Sequence, residues 1–120
     1  TPKHATVTAD GPSRAMQGIV TGSGQAFAAG LYSIQYQGST STIDITINNF
    51  GTMNGEVRNN DGTAAGCLNL TGAGGGTIDN KPGGQVSATA KYYATAIINQ
   101  CYGGTAKVVT SGTVTCTCTS

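Results

Sequence analysis

The sequence predicts an all-β fold: one β-domain over residues 1–120, built as a small disulfide-stabilised β-sandwich or barrel with at most one short helix. Short segments that alternate apolar and polar residues are separated by Gly, Asn and Ser. Only 9% of the residues are charged, and Thr, Gly, Asn and Ser supply most of the polarity, unlike in disordered tails. The four cysteines are an even number, and bridges worth about 2–4 kcal/mol each would support a thin core. We therefore expect reduction to unfold the domain.

The clearest strand covers residues 43–47, where Ile43, Ile45 and Ile47 alternate with polar residues. Residues 31–36 are predicted to precede it as a partner strand, with a turn at 37–40. Further along, residues 55–58 and 66–70 flank an Asn-Asn-Asp-Gly sequence. Its Asp-Gly pair predicts a hairpin, because glycine adopts positive φ at little cost.

Two segments fit more than one period. Residues 16–31 match helical spacing, but their glycines each cost roughly 1 kcal/mol relative to alanine in a helix. Residues 86–98 alternate throughout, which predicts one long strand or two strands with a bend. Residues 88–98 also fit a helix, although their threonines and the tyrosine pair favour β-structure. The glycine-rich stretches 72–76 and 81–84 are predicted loops. Some eight short strands result.

The cysteines suggest how the domain is held together. Cys116 and Cys118 alternate with threonine in residues 113–120, so both sulfurs leave the same face of a predicted strand. Neighbours at i and i+2 are poorly placed to bridge each other. We therefore predict that Cys116 and Cys118 pair with Cys67 and Cys101, one each, with the partner of each left open. Such bridges indicate an oxidising compartment, so a secreted or extracellular surface location is expected.

No catalytic or cofactor motif stands out. The only histidine, His4, lies near the N-terminus, away from any Ser/His/Asp or Cys/His pattern. The cysteines lack the paired C-x₂-C spacing of a zinc site, and residues 72–76 lack the lysine of a phosphate-binding loop. The acidic residues share no local motif, being Asp10, Asp44, Glu56, Asp61 and Asp79. The sequence predicts no enzyme, no cofactor and no metal site.

Partners are predicted from surface chemistry. The lysines and arginines are scattered, which argues against nucleic-acid binding, and no apolar run approaches the roughly 20 residues of a transmembrane helix. Asn69 begins an Asn-Leu-Thr sequon and is a candidate for glycosylation. Tyr92 and Tyr93 are candidate contact residues, because neighbours on a strand point to opposite faces and at least one should be exposed.

The second half of the chain resembles the C-terminal part of bacterial fimbrial pilin subunits. The resemblance rests on Gly-Glu-Val-Arg-Asn at 55–59, Cys-Leu-Asn-Leu at 67–70, Ser-Ala-Thr-Ala-Lys-Tyr-Tyr-Ala-Thr at 87–95, and a last strand rich in Thr and Val. It implies an immunoglobulin-like fold in which a neighbour donates one strand.

Together these features predict a non-enzymatic, secreted or cell-surface β-domain, a structural or adhesive subunit of a pilus-like or filament-like extracellular assembly. Its partner would be a protein, another copy of the chain or a surface glycan. The low charge suits a subunit whose surface is covered by neighbours. The alternative is a small secreted effector, toxin or inhibitor acting as a disulfide-hardened monomer on another protein. Self-association distinguishes the two, because a filament subunit needs an open edge or complementary patch.

Overall fold

The computed structural model describes residues 3–22, 25–35, 42–58 and 62–119, with the backbone alone for Lys3. These residues form eleven β-strands and no helix, which confirms the all-β prediction. The strands are β1 (Lys3–Ala9), β2 (Ala15–Val20), β3 (Phe27–Ile34), β4 (Ile43–Asn49), β5 (Thr52–Val57), β6 (Thr63–Thr71), β7 (Gly76–Asn80), β8 (Gln85–Ala90), β9 (Tyr93–Cys101), β10 (Ala106–Thr110) and β11 (Thr113–Cys118).

All strand pairs are parallel, and they form three sheets. The first sheet has the order β1-β4-β7-β10, the second β2-β5-β8-β11, and the third β3-β6-β9. The chain passes through the first, second and third sheets in order. It then returns to the first sheet, where it adds the next strand. Coil 1 is therefore β1–β3, coil 2 is β4–β6, coil 3 is β7–β9 and coil 4 is β10–β11. This is the topology of a parallel β-helix, in which each coil contacts only its neighbours.

The register fixes the length of a coil. Thr63 pairs with Tyr93 and Gly76 with Ala106, each 30 residues further along the chain. Coil 1 is longer, because Phe27 pairs with Thr63, 36 residues on. Equivalent residues of successive coils stack in rungs, and a rung that faces inward repeats the same kind of side chain.

The core is made of such rungs. One buried cluster joins the three sheets through Ile47 and Ile78 of the first, Met53 and Val86 of the second, and Cys67 of the third. A second cluster, between the second and third sheets, consists of Val57 and four alanines. Small side chains are required there because a Cβ added at Gly55 would collide with the carbonyl oxygen of Ala65. The scarcity of large apolar residues in the sequence therefore reflects a narrow interior.

Asparagines stack at the corner between the first and second sheets. Asn49 pairs in register with Asn80, and Asn80 with Thr110. The fully buried Asn49 donates from Nδ2 to Asn80 Oδ1 at 3.0 Å and to the carbonyl oxygen of Gln85 at 3.0 Å. Asn80 Nδ2 in turn lies 3.2 Å from Thr110 Oγ1. In this asparagine ladder, side chains provide hydrogen-bond partners for buried polar groups at the corner, where the chain turns and leaves the sheets.

The predicted sandwich or barrel with hairpins is not what these strands form. Residues 31–34 belong to β3 and pair with β6, whereas residues 43–49 pair with β1 and β7. The two strands flanking the Asp-Gly pair, β5 and β6, lie in different sheets. The turn at 37–40 and Asp61 fall outside the described residues. Alternation identified strands correctly but carries no information about which strand each one pairs with.

The ambiguous segments resolve into strands. Of residues 16–31, 16–20 belong to β2 and 27–31 to β3 rather than to a helix, while 23 and 24 lie outside the described residues. Residues 86–98 form β8 and β9, with a bend at Lys91 and Tyr92, as one of the two alternatives predicted. The glycine-rich stretch 72–76 leads from coil 2 to coil 3 and ends at Gly76, the first residue of β7. The stretch 81–84 forms the corner between β7 and β8 within coil 3, where Gly83 adopts a φ of 83°.

Candidate functional site

The outer surface of the third sheet carries a band of apolar side chains. Exposure of Phe27, Tyr32, Ile34 and Tyr93 lies between 46% and 65%. The register explains the clustering, because Phe27, Thr63 and Tyr93 form one rung, and Tyr32, Leu68 and Ile98 form another. We call Phe27, Tyr32, Ile34, Leu68 and Tyr93 the aromatic face. Three coils contribute to it.

Two shallow cavities lie along the aromatic face. One, of about 510 Å³, is lined by Phe27, Ala29, Tyr32 and Leu68. The other, of about 470 Å³, has the lining residues Gln25, Ala26, Phe27, Gly62, Thr63 and Tyr93. The two cavities share Phe27, and neither set of lining residues carries a charge. They form an uncharged groove with rings at its margins.

The rings of the groove are held by packing between neighbours. The Phe27 and Tyr32 ring centroids lie 5.7 Å apart at an interplanar angle of 74°, an edge-to-face arrangement. Such pairs contribute about 0.5–1.5 kcal/mol beyond their buried area, which favours one orientation of each ring. Ring surface fixed on a sheet can stack on a flat apolar surface of a protein or on a sugar ring.

Of the two predicted contact residues, Tyr93 belongs to the aromatic face and Tyr92 lies next to it. One part of the prediction, their orientation, is wrong. Tyr92 and Tyr93 are 49% and 65% exposed, which confirms that at least one is accessible. They do not project to opposite faces of one strand, because Tyr92 lies in the bend before β9. Their ring centroids are 6.5 Å apart, and Lys91 Nζ lies 5.1 Å from the Tyr92 ring centroid, within reach of a cation–π contact.

Sequence reasoning missed Phe27 as a contact residue. Phe27 and Tyr93 are far apart in the chain and meet only because coils 1 to 3 stack in register through Thr63. An internal repeat of about 30 residues is the signal in the sequence that could have aligned these rungs.

All four cysteines are free, so the predicted disulfides are not observed. Cys116 and Cys118 pair with the buried Ala88 and Ala90, which confirms that both share one face of β11. Cys67 lies on β6, two coils away, and two coil spacings of about 4.8 Å exceed the Cα separation of a disulfide.

Cys101 is also distant from the other thiols along the third sheet. Cys116 Sγ lies 2.7 Å from the carbonyl oxygen of Ala94, and Cys101 follows seven residues later on the same strand, about 23 Å further along. Burial raises the pKa of the Cys67 thiol to about 12 and makes it unreactive.

Asn69, the candidate glycosylation site, is fully buried on β6. Its Nδ2 donates a hydrogen bond of 3.0 Å to Asn99 Oδ1 on the next coil. A glycan cannot be accommodated at this position of the folded chain, so the structure does not support modification of Asn69.

His4 lines a separate cavity of about 530 Å³ together with residues that include Asp44, Gly75 and Thr105. His4 Nδ1 is 3.9 Å from Asp44 Oδ2, and the backbone N–H of Gly75 donates to Asp44 Oδ1 at 2.8 Å. Within the described part of the chain, no three His, Cys, Asp or Glu residues lie close enough together to hold a metal ion. The described part of the chain also includes no helix with the length and hydrophobicity of a membrane span.

The fold and this face define a parallel β-helix with an exposed, uncharged aromatic surface. No protein-family model, curated protein or solved structure matches the chain. The resemblance to pilins therefore stays a prediction.

Proposed function

We propose that this chain is a structural or adhesive β-helix of an extracellular assembly, acting through surface contacts rather than catalysis. The aromatic face carries the proposal. An uncharged groove edged by Phe27, Tyr32 and Tyr93 spans three coils of a chain in which only 9% of residues are charged. Exposed apolar patches edged by polar residues are typical of interaction sites.

The β-helix supports this role mechanically. Each ring stands on a strand that is paired in register with its neighbours, so the side chains are presented without ordering a loop. Little conformational entropy is then lost when a partner binds. A flat, repetitive apolar partner, either a protein surface or a glycan chain, matches a face with these properties.

The secreted or cell-surface location belongs to the same proposal. The low charge of the chain suits a molecule packed among neighbours in an assembly.

Adhesion of variants tests the proposal. The purified chain is passed over immobilised fibrillar protein and over immobilised polysaccharides, and adsorption is measured by surface plasmon resonance. Phe27→Ala combined with Tyr93→Ala should weaken adsorption to the preferred surface at least about tenfold, equivalent to 1.4 kcal/mol, because both are anchors at the margins of the groove.

Tyr102→Ala is the matched control. Tyr102 is similarly exposed but accepts a hydrogen bond from Gln100 Nε2 and lines neither cavity of the aromatic face. Equal losses in the control and the double variant would contradict the proposal. Turnover of a glycan, peptide or ester that disappears in Asp44→Asn would replace it with an enzymatic function.

A further inference from the structure

Coil 4 is the last coil of the described residues, and its inward positions have no further neighbour among them. Val108 pairs with Ile78 and Val114 with Val86. The side chains of Ile78 and Val86 are each only 1% exposed. Val108 and Val114 occupy the same inward rungs but are 49% and 41% exposed. Among the described strands, none pairs with the outer edges of β10 and β11. Among the described residues, nothing therefore covers these core positions or pairs with these two strand edges of coil 4.

Coil 1 presents a matching surface at the opposite end. Among the described strands, β1 and β2 pair only with β4 and β5, so the outer edges of the same two sheets are unpaired there. Val7 pairs with Ile47 and Met16 with Met53, and both side chains are only partly buried against the core.

The two ends share their rungs. One inward rung runs Val7, Ile47, Ile78, Val108, and another runs Met16, Met53, Val86, Val114. A second copy placed coil 1 onto coil 4 would continue both rungs with apolar side chains, setting Val7 on Val108 and Met16 on Val114. No charged residue lies in either rung.

The proportions of the molecule make the ends its broad faces. Four strands about 4.8 Å apart span about 14 Å, which identifies the shortest dimension, 17 Å, with the helix axis. The other two dimensions are 46 and 32 Å. Stacking along the axis therefore covers the largest surfaces available.

We propose that coil 4 binds coil 1 of a second copy, with β10 pairing to β1 and β11 pairing to β2 in parallel. This inference rests on the proposed function in an assembly and names its self-association surface. The interface joins unlike ends and does not close on itself, so it generates linear filaments. The third sheet has one strand fewer, and the stack leaves one strand position free between β9 of one copy and β3 of the next.

The test compares two ways of adding lysine to the same coil. In the Val108→Lys, Val114→Lys variant the charges lie in the rungs that the second copy would cover. Val109→Lys is the control, because Val109 pairs with Asp79 on the outer surface of the first sheet. Sedimentation velocity and electron microscopy follow assembly with concentration, and circular dichroism checks that each variant keeps its β-structure.

We expect concentration-dependent filaments for the unmodified chain and for Val109→Lys, and monomers for the double variant to at least about tenfold higher concentration. The double variant keeps an intact coil 1, so a small amount added to the unmodified chain should cap filament ends and shorten the filaments. A monomer at all concentrations, a discrete dimer, or an equal loss in Val109→Lys would overturn the inference.

The aromatic-face variant separates this inference from the proposed function. Phe27→Ala with Tyr93→Ala should still form filaments, because neither residue lies on β1, β2, β10 or β11. If the chain adheres but forms no filaments, end-to-end stacking is rejected and the role of the aromatic face is retained. If it forms filaments but does not adhere, the role of the aromatic face is rejected.

Discussion

Asn80 illustrates how single residues hold neighbouring coils together. Its side chain accepts a hydrogen bond from Asn49 in the preceding coil and donates to Thr110 Oγ1 and to the carbonyl oxygen of Thr113 in the following one. Because the amide is fully buried, each missing partner would leave a polar group unsatisfied at a cost of about 1–3 kcal/mol. One asparagine thus links three coils.

The buried thiol of Cys67 gives a prediction for stability against pH. Its pKa is raised to about 12 by burial, whereas the thiol of an unfolded chain ionises near 9. Below pH 9 both states keep the proton and this group has no effect. Between pH 9 and 12 the unfolded state loses the proton first, so stability falls with rising pH, by at most about 1.4 kcal/mol per pH unit.

Urea denaturation in reductant at several pH values between 8 and 11 measures this slope. Cys67→Ala removes the ionisable group and should flatten the decline, although the variant starts from its own lower stability. A decline of the same slope in both proteins would show that Cys67 is not its source.

At the scale of the elements, a column of glycines sets how closely the coils approach. Gly51, Gly84 and Gly112 each precede a strand of the second sheet, and they share one rung position. A Cβ added at Gly84 would collide with the carbonyl oxygen of Asn49, and one at Gly112 with that of Gly84. The corner can turn only where no side chain separates the backbones.

Gly84→Ala should therefore be strongly destabilising. Crowding against backbone atoms that cannot rotate away costs about 1–3 kcal/mol or more, which corresponds to a fall in Tm on the order of 5–15 °C. Gly11→Ala provides the comparison, since no atom lies within 4 Å of its added Cβ. Thermal melts followed by circular dichroism should separate the two variants, and equal melting temperatures would contradict the role of the glycine column.

For the whole molecule, the free cysteines change the expected source of stability. The structure joins its coils through inward rungs, the asparagine ladder and parallel strand pairing, with no disulfide. We therefore expect the same Tm with and without reductant, in contrast to the unfolding on reduction that the sequence predicts. Two bridges of about 2–4 kcal/mol each would instead lower Tm by many degrees when broken. Mass mapping of a non-reduced digest identifies any bridge directly.

The sequence by itself determined strands such as β4, because alternation of apolar and polar residues at Ile43, Ile45 and Ile47 is a local property that any sheet requires. It predicted some eight strands, whereas the described residues form eleven. It also allowed a bend somewhere within residues 86–98, without locating it, and placed Cys116 and Cys118 on one face of a strand. The repeat is also present in the sequence, although the prediction did not use it. Thr-Ile-Asn-Asn at 46–49 recurs as Thr-Ile-Asp-Asn at 77–80, and a corner glycine follows each within a few residues.

Only the tertiary structure decided which strands pair. A parallel partner lies about 30 residues away, and the alternation within a strand does not encode that distance, whereas a hairpin partner is always the next strand. The burial of Asn69, the free state of Cys67 and the meeting of Phe27 with Tyr93 across Thr63 all follow from the stacking of coils. The physical reason is that alternation fixes which face a side chain takes, while only the register between distant strands fixes its neighbours.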